Sequence, residues 1–324
     1  MAYTTIDDPS AYFKVQLYTG NGSTQSITFD DTDTTMAVDL NWIKCRGAAE
    51  NHVISDSVRG SSGSGGYYAF HSNNTNDEQT NTTNLYVSSL DSNGFSVGSN
   101  DQVNVAQPFV SWNWKESATA GLDIITWAGN ETAKTISHNL SAVPHWIIVK
   151  VRGTAKQWTC YHKDMTADPN NAGIFLQSTA VPTTGTAGYF NNTVPTSSVF
   201  SVGTSTNVNQ NSDNVMGYCW TSIQGFSKFG EYTGNGNADG PFIYTGFRPA
   251  YVLIKRTDST GDWYIFDNKL IPQNIITKYQ TANKNEADKS AVAAYYIDFT
   301  SSGFKLRGTG SETNASGGTY IYAA

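Results

Sequence analysis

Charge is the first thing this chain is short of. Only 15 % of its 324 residues are Asp, Glu, Lys or Arg, with a formal balance of −7, against about a quarter in ordinary domains. No Lys/Arg cluster stands out, so a nucleic-acid partner, which needs concentrated positive charge, is not expected. Long apolar runs are missing too. No stretch approaches the roughly 18 apolar residues of a spanning helix, and membrane insertion is not expected. The opening residues, MAYTTIDDPSAYFKV, lack the basic start and apolar centre of a secretory leader. Cysteine is scarce: Cys45, Cys160 and Cys219 are odd in number and far apart. Free thiols from a reducing cytoplasm are expected, not a disulfide frame. Without a secretion signal, the Asn-X-Ser/Thr triplets, such as residues 81–83, do not argue for glycosylation. Heptads are absent, which excludes a coiled-coil stem.

What fills the space is aromatic and small polar. The chain has 18 Tyr, 15 Phe and 8 Trp, amid abundant Asn, Ser, Thr and Gly. Strand and turn formers dominate and helix formers are few. The aromatics argue against disorder. An all-β chain with many loops is the expectation.

The chain repeats itself. LYTGNGS at residues 17–23 returns as EYTGNGN at residues 231–237, with a decayed middle copy, TWAGNET, at residues 126–132. Tyr18, Trp127 and Tyr232 then correspond, at intervals of 109 and 105 residues. An apolar strand ending in lysine follows each time, and Lys44, Lys150 and Lys255 are 106 and 105 apart. His52, Trp158 and Trp263 open the next strand. Phe95, Phe200 and Phe304 mark a late strand, and Trp114, Trp220 and Tyr322 lie on a closing one. A period near 105 residues is a whole module, not a solenoid repeat. This predicts three tandem units strung in line, over residues 12–118, 119–228 and 229–324, after an N-terminal docking segment at residues 1–11. Continuous apolar runs such as YVLIK and alternating ones such as GFKLRG are strands. Units of this size and pattern predict antiparallel β-sandwiches of jelly-roll type. The best helical stretch, residues 278–296, predicts one or two turns.

Chemistry is hard to find. His52, His71, His138, His145 and His162 are scattered, with no zinc-binding spacing. His52 shares its slot with two tryptophans, and His162 shares its own with Asp56 and Asp267. A jelly-roll glycosidase needs facing carboxylates, often alternate on one strand, and no such strand occurs. Gly63-Ser64-Gly65 lies in a Gly/Ser loop, without the strand-to-helix setting of a nucleophile elbow. The acidic run FDDTDTT at residues 29–35 could donate oxygens to calcium, but a solvated turn is the plainer reading. No metal or other cofactor is expected. The recurring lysines Lys44, Lys150 and Lys255 could bind an anion; otherwise each packs its stem and leaves its charge in water. Recurring aromatics could stack on sugars, but recurrence on strands points first to core. If a ligand surface exists, the turns around Asn21, Asn130 and Asn235 would carry it, because loops carry binding.

YTTIDDPSAYF, GFRPAYVLIKRTDSTGDWYIFDNK and IDFTSSGFKLRGTGSETNASGGTYIYAA resemble segments of large structural proteins of tailed phages of aquatic bacteria, cyanophages among them. These are described as tail-fibre-like or lectin-like, of laminin-G or concanavalin type. The resemblance covers nearly the whole chain and brings no catalytic motif. It implies a non-enzymatic virion protein made in the host cytoplasm, most simply a tail fibre or spike contacting a host-surface glycan or receptor. A capsid decoration or tail adaptor role is the alternative, and a glycan depolymerase a third. Other virion proteins and further copies of the chain, a trimer included, are the implied partners.

Overall fold

A computed structural model describes residues 4–31, 33–63, 65–80, 85–290 and 292–324. Ser64, Thr32 and the triplet at residues 81–83 lie outside the described residues. The protein is nearly all β, in several antiparallel sheets. The first third holds β1 (Phe13–Thr19), β2 (Gln25–Thr28), β3 (Leu40–Cys45), β4 (Val53–Asp56), β5 (Val87–Asp91), β6 (Gly94–Val97), α1 (Asp101–Asn104) and β7 (Pro108–Trp114). The second holds β8 (Leu122–Ala128), β9 (Lys134–Ser137), β10 (Trp146–Val151), β11 (Thr159–His162), β12 (Ala172–Phe175), β13 (Thr183–Thr184), β14 (Val199–Val202), α2 (Thr206–Asn209) and β15 (Asn214–Trp220). The third holds β16 (Phe229–Thr233), β17 (Phe242–Tyr244), β18 (Tyr251–Arg256), β19 (Trp263–Asp267), β20 (Lys278–Thr281), β21 (Lys289–Ser290), β22 (Ile297–Thr300), β23 (Gly303–Leu306), α3 (Ser311–Asn314) and β24 (Thr319–Ala323).

Each third builds a large sheet in the same order. The first runs β1-β7-β3-β4, the second β8-β15-β10-β11-β12-β13, and the third β16-β24-β18-β19-β20-β21. In each, the first strand pairs with the last, which pairs with the lysine strand. Smaller sheets, β2-β6-β5, β9-β14 and β17-β23-β22, accompany them. There Ile27, Ile136 and Ile243 lie opposite Phe95, Phe200 and Phe304. The lysine strands β3 and β10 are buried at every position, which is why they read as continuous apolar runs.

The three units are not strung in line. One hydrophobic core draws residues from all of them, including Trp42, Trp112, Trp146, Tyr218, Tyr251 and Trp263. Edge-to-face aromatic contacts join first to second (Phe70–Trp158, 5.3 Å), second to third (Trp146–Trp263, 5.6 Å) and third back to first (Trp112–Tyr251, 5.7 Å). The units therefore close into a ring of three around a shared core. Apolar faces too large for one small unit to cover are buried against its two neighbours.

Residues 278–296 form strands at Lys278–Thr281 and Lys289–Ser290, and only a 3-10 turn at Ala293–Tyr295. Tyr279 and Ala282 bury against core clusters, and that tertiary burial overrides a weak helical propensity. The N-terminal segment also folds onto the chain. Ile6 is only 3 % exposed. Asp8 accepts a bond from the Ser10 amide at 2.9 Å, and the Tyr12 ring meets Phe226 edge-on. All three cysteines are buried and free.

Candidate functional site

Thr-Gly-Asn-Gly turns follow β1 and β16, and their counterpart Ala-Gly-Asn-Glu follows β8. Each is fastened to a short helix of its own unit by a buried asparagine: Asn104, Asn209 or Asn314, spaced 105 residues apart. The Oδ1 of each accepts the backbone N–H of Asn21 (2.9 Å), Asn130 (3.0 Å) or Asn235 (2.9 Å). The Nδ2 donates to turn carbonyls of Ser23, Thr132 and Asn237, and to Gly98, Gly203 and Gly308. Tyr18, Trp127 and Tyr232 bond the carbonyls of Val103, Val208 and Thr313. The glycine of the turn is dictated by this approach. A Cβ on Gly20, Gly129 or Gly234 would sit 2.0, 2.0 or 2.4 Å from the carbonyl oxygen of Val105, Gln210 or Ala315. Gly22, Glu131 and Gly236 then take left-handed backbone, at φ 73°, 55° and 68°. The side chains of Asn21, Asn130 and Asn235 are exposed, but each Oδ1 accepts from the backbone two residues on. These are locked local turns. Sequence reasoning missed Asn104, Asn209 and Asn314, although their even spacing was there to be found.

The lysines do not leave their charges in water. Lys44, Lys150 and Lys255 are fully buried. Each ammonium donates to the carbonyl six residues on, Glu50, Lys156 or Gly261. Each also crosses to another unit. Lys44 bonds Asn285 O (3.2 Å), Lys150 bonds Thr75 O (2.9 Å) and Lys255 bonds Thr179 O (3.1 Å). Carbonyls solvate an ammonium without neutralising it, and burial pulls the three down to about 8, 7 and 8.

The slot of His52, Trp158 and Trp263 does related work. The indoles donate to His71 O (2.9 Å) and Phe175 O (3.0 Å). His52 replaces the indole with an imidazole fixed in one tautomer. Trp42 Nε1 donates to its Nδ1 at 2.8 Å, so Nε2 carries the hydrogen and donates to Thr281 O at 3.0 Å. His162 is fixed in the same way, with the Asp164 amide on Nδ1 (3.1 Å) and Tyr322 O before Nε2 (3.2 Å). Burial holds it down to about 3. Arg46–Asp288 (2.9 Å) and Arg152–Glu78 (2.7 Å) add ion pairs across two seams, while Arg256 turns to Asp258 in its own unit.

The acidic turn at residues 29–35 closes on an ammonium. Lys14 Nζ reaches the carbonyls of Asp31 (3.1 Å) and Thr34 (2.5 Å) and the Asp31 carboxylate (3.4 Å). Its oxygens thus already face a cation of the protein's own. Among the described residues no group of three or more His, Cys, Asp or Glu is placed to hold a metal ion. No helix among them is long and apolar enough to cross a membrane.

An apolar cavity of about 80 Å³ lies where the three sheets converge. Trp42, Ile148 and Leu253, one from each unit at matching positions, face it together with Trp146, Phe229 and Tyr251. A cleft of about 200 Å³, lined by Pro9, Phe13, Trp114, Phe226 and Arg248, adjoins it.

One family model matches residues 8–324, and its description is Domain of unknown function (DUF7483). The chain belongs to that family. A single DUF7483 match thus spans all three units, as the shared core does. Comparison with curated proteins gives no match, and neither does comparison with solved structures.

Proposed function

We propose that the chain is a non-enzymatic structural protein of a virus particle, a tail-fibre or spike component that meets the host surface. In this reading it is built of three homologous β-sandwich modules of jelly-roll, laminin-G or concanavalin type. The carrying observation is the use to which the recurring polar residues are put. Lys44, Lys150 and Lys255 hold the seams. Asn104, Asn209 and Asn314 hold the turns. A repeated reactive centre would place repeated polar groups toward solvent, whereas these face inward, as a load-carrying part requires. The phage-protein resemblance supports the same reading. Closure of the units around one shared core, in place of an extended stem, favours a second reading: a decoration or adaptor protein seated on a capsid or tail.

Gold-labelled antibody against the chain, applied to purified particles of a phage encoding it, should mark one particle location. Label at the tail tip supports the first reading and label on the shell or tail side the second. Particles free of the chain by mass spectrometry would overturn both. Host envelope polysaccharide incubated with the protein should release no oligosaccharide; release would make it a depolymerase.

A further inference from the structure

Strands β2, β9 and β17 occupy the same place in their units, each with its isoleucine turned inward opposite an equivalent phenylalanine. The residues on either side of that isoleucine point outward. In the first unit they are Ser26 and Thr28, and in the second Thr135 and Ser137. In the third they are Phe242 and Tyr244, 48 % and 62 % exposed. The fold does not require rings there, since two units do without them. Two large aromatics held at alternate positions on the solvent face of one strand expose apolar surface at a cost, unless something covers them.

The surroundings say what that is. Opposite Phe242 stands Lys305, and opposite Tyr244 stands Gly303, which has no side chain. A Cβ at Gly303 would come 2.0 Å from Ile243 O and 3.1 Å from the Phe242 ring, so the glycine that the backbone demands also leaves room for that ring on the sheet. Lys305 pairs with Asp239 at 2.8 Å, and Arg307 with Asp298 at 3.3 Å. The four charges cancel, so a polyanion gains nothing here. A stable contact between copies of the chain needs roughly 800 Å² per partner with a mostly apolar centre, and two rings bounded by ion pairs offer far less. A pyranose has the complementary chemistry: an apolar C–H face for a ring to stack on, and hydroxyls at its edge for Lys305, Asp298 and Arg307. The geometry points to the β17 face as a binding platform for neutral sugar, with Phe242 and Tyr244 stacking on successive residues of a glycan. As a host contact, it rests on the reading of the protein as a surface component.

The first two units supply the control. Phe242→Ser with Tyr244→Thr puts into β17 the residues that β2 already carries, so the variant should keep the wild-type melting temperature. Full-length protein is tested on an array of neutral oligosaccharides and by saturation-transfer NMR with methyl glucoside, galactoside and mannoside. Wild type should bind at least one of these, and the double variant should lose about tenfold or more in affinity. Equal binding by both proteins would overturn the platform while leaving the host-contact reading in place. No binding by wild type would also overturn it, and the particle labelling would then judge the surface-component reading separately. Self-association that the double variant abolishes would overturn it in favour of a second copy.

Discussion

Asn104, Asn209 and Asn314 each hold three backbone groups with one buried amide, and their replacement leaves backbone groups of two segments without partners. Asn209→Ala should therefore cost about 2–4 kcal/mol in urea unfolding. Asn130→Ala, which removes only an exposed turn acceptor, should cost about 1 kcal/mol or less. Equal losses would show that the buried asparagine does not hold the turn. The histidines carry a pH signature. His162 accepts an N–H at Nδ1 and donates from Nε2, so a second proton puts two donors face to face. Its folded-state pKa is depressed from 6.5 to about 3. The unfolded chain therefore takes up that proton first, and the stability the neutral ring confers is lost as pH falls from 6.5 toward 3. Asp267 runs the other way. Burial raises it to about 6, so its contribution grows on acidification. His162→Gln isolates the histidine term, because a neutral amide can donate and accept in its place. The difference in urea midpoint between wild type and His162→Gln should shrink as pH is lowered from 7 to 4. A gap independent of pH would show that His162 does not titrate with unfolding.

At the scale of elements, the strands carrying Lys44, Lys150 and Lys255 were plain in the sequence, because strands buried on both faces are apolar at consecutive positions. The short helices α1, α2 and α3 were not. Four residues carry no periodicity, and their anchor is a single asparagine among many in an Asn-rich chain. The lysines show a different limit. Their recurrence was visible, but a lysine after an apolar run reads as a strand end reaching water. Only the neighbouring unit's carbonyls, Asn285, Thr75 and Thr179, make burial tolerable, and no local pattern reports on them. The aromatic pair Phe242 and Tyr244 hid for a related reason: on a strand, an outward ring and an inward one look alike until the partner strand is known. The N-terminal segment also reads differently in three dimensions. With Ile6 buried and the Tyr12 carbonyl accepting from the Lys115 amide at 2.9 Å, deletion of residues 1–12 should lower stability by about 2–4 kcal/mol. An unchanged urea midpoint would show the segment to be free to serve elsewhere.

For the molecule as a whole, the central point is that the third unit touches the first. A shared core with three seams, each bridged by a buried lysine, has no boundary along which one unit can leave cheaply. Scanning calorimetry should record one transition, with calorimetric and van't Hoff enthalpies in agreement. Residues 119–228 expressed alone should aggregate, because Trp146 and Trp158 would lose the faces they pack on. Three separable transitions would mean that the units are independent domains after all.

Ring closure also loosens the tie between chain order and shape. Two junctions between units are covalent and the third is made by noncovalent contacts alone, the backbone bond from the Asp288 amide to Arg46 O among them, yet all three bring together like surfaces. Pro9, Phe13 and Ala324 line one cleft at that third junction. A circular permutant, with these ends bridged by a linker and the chain opened near residue 118 or residue 228, would present every seam intact. Which unit is read first by the ribosome is then a matter of history, not of mechanics.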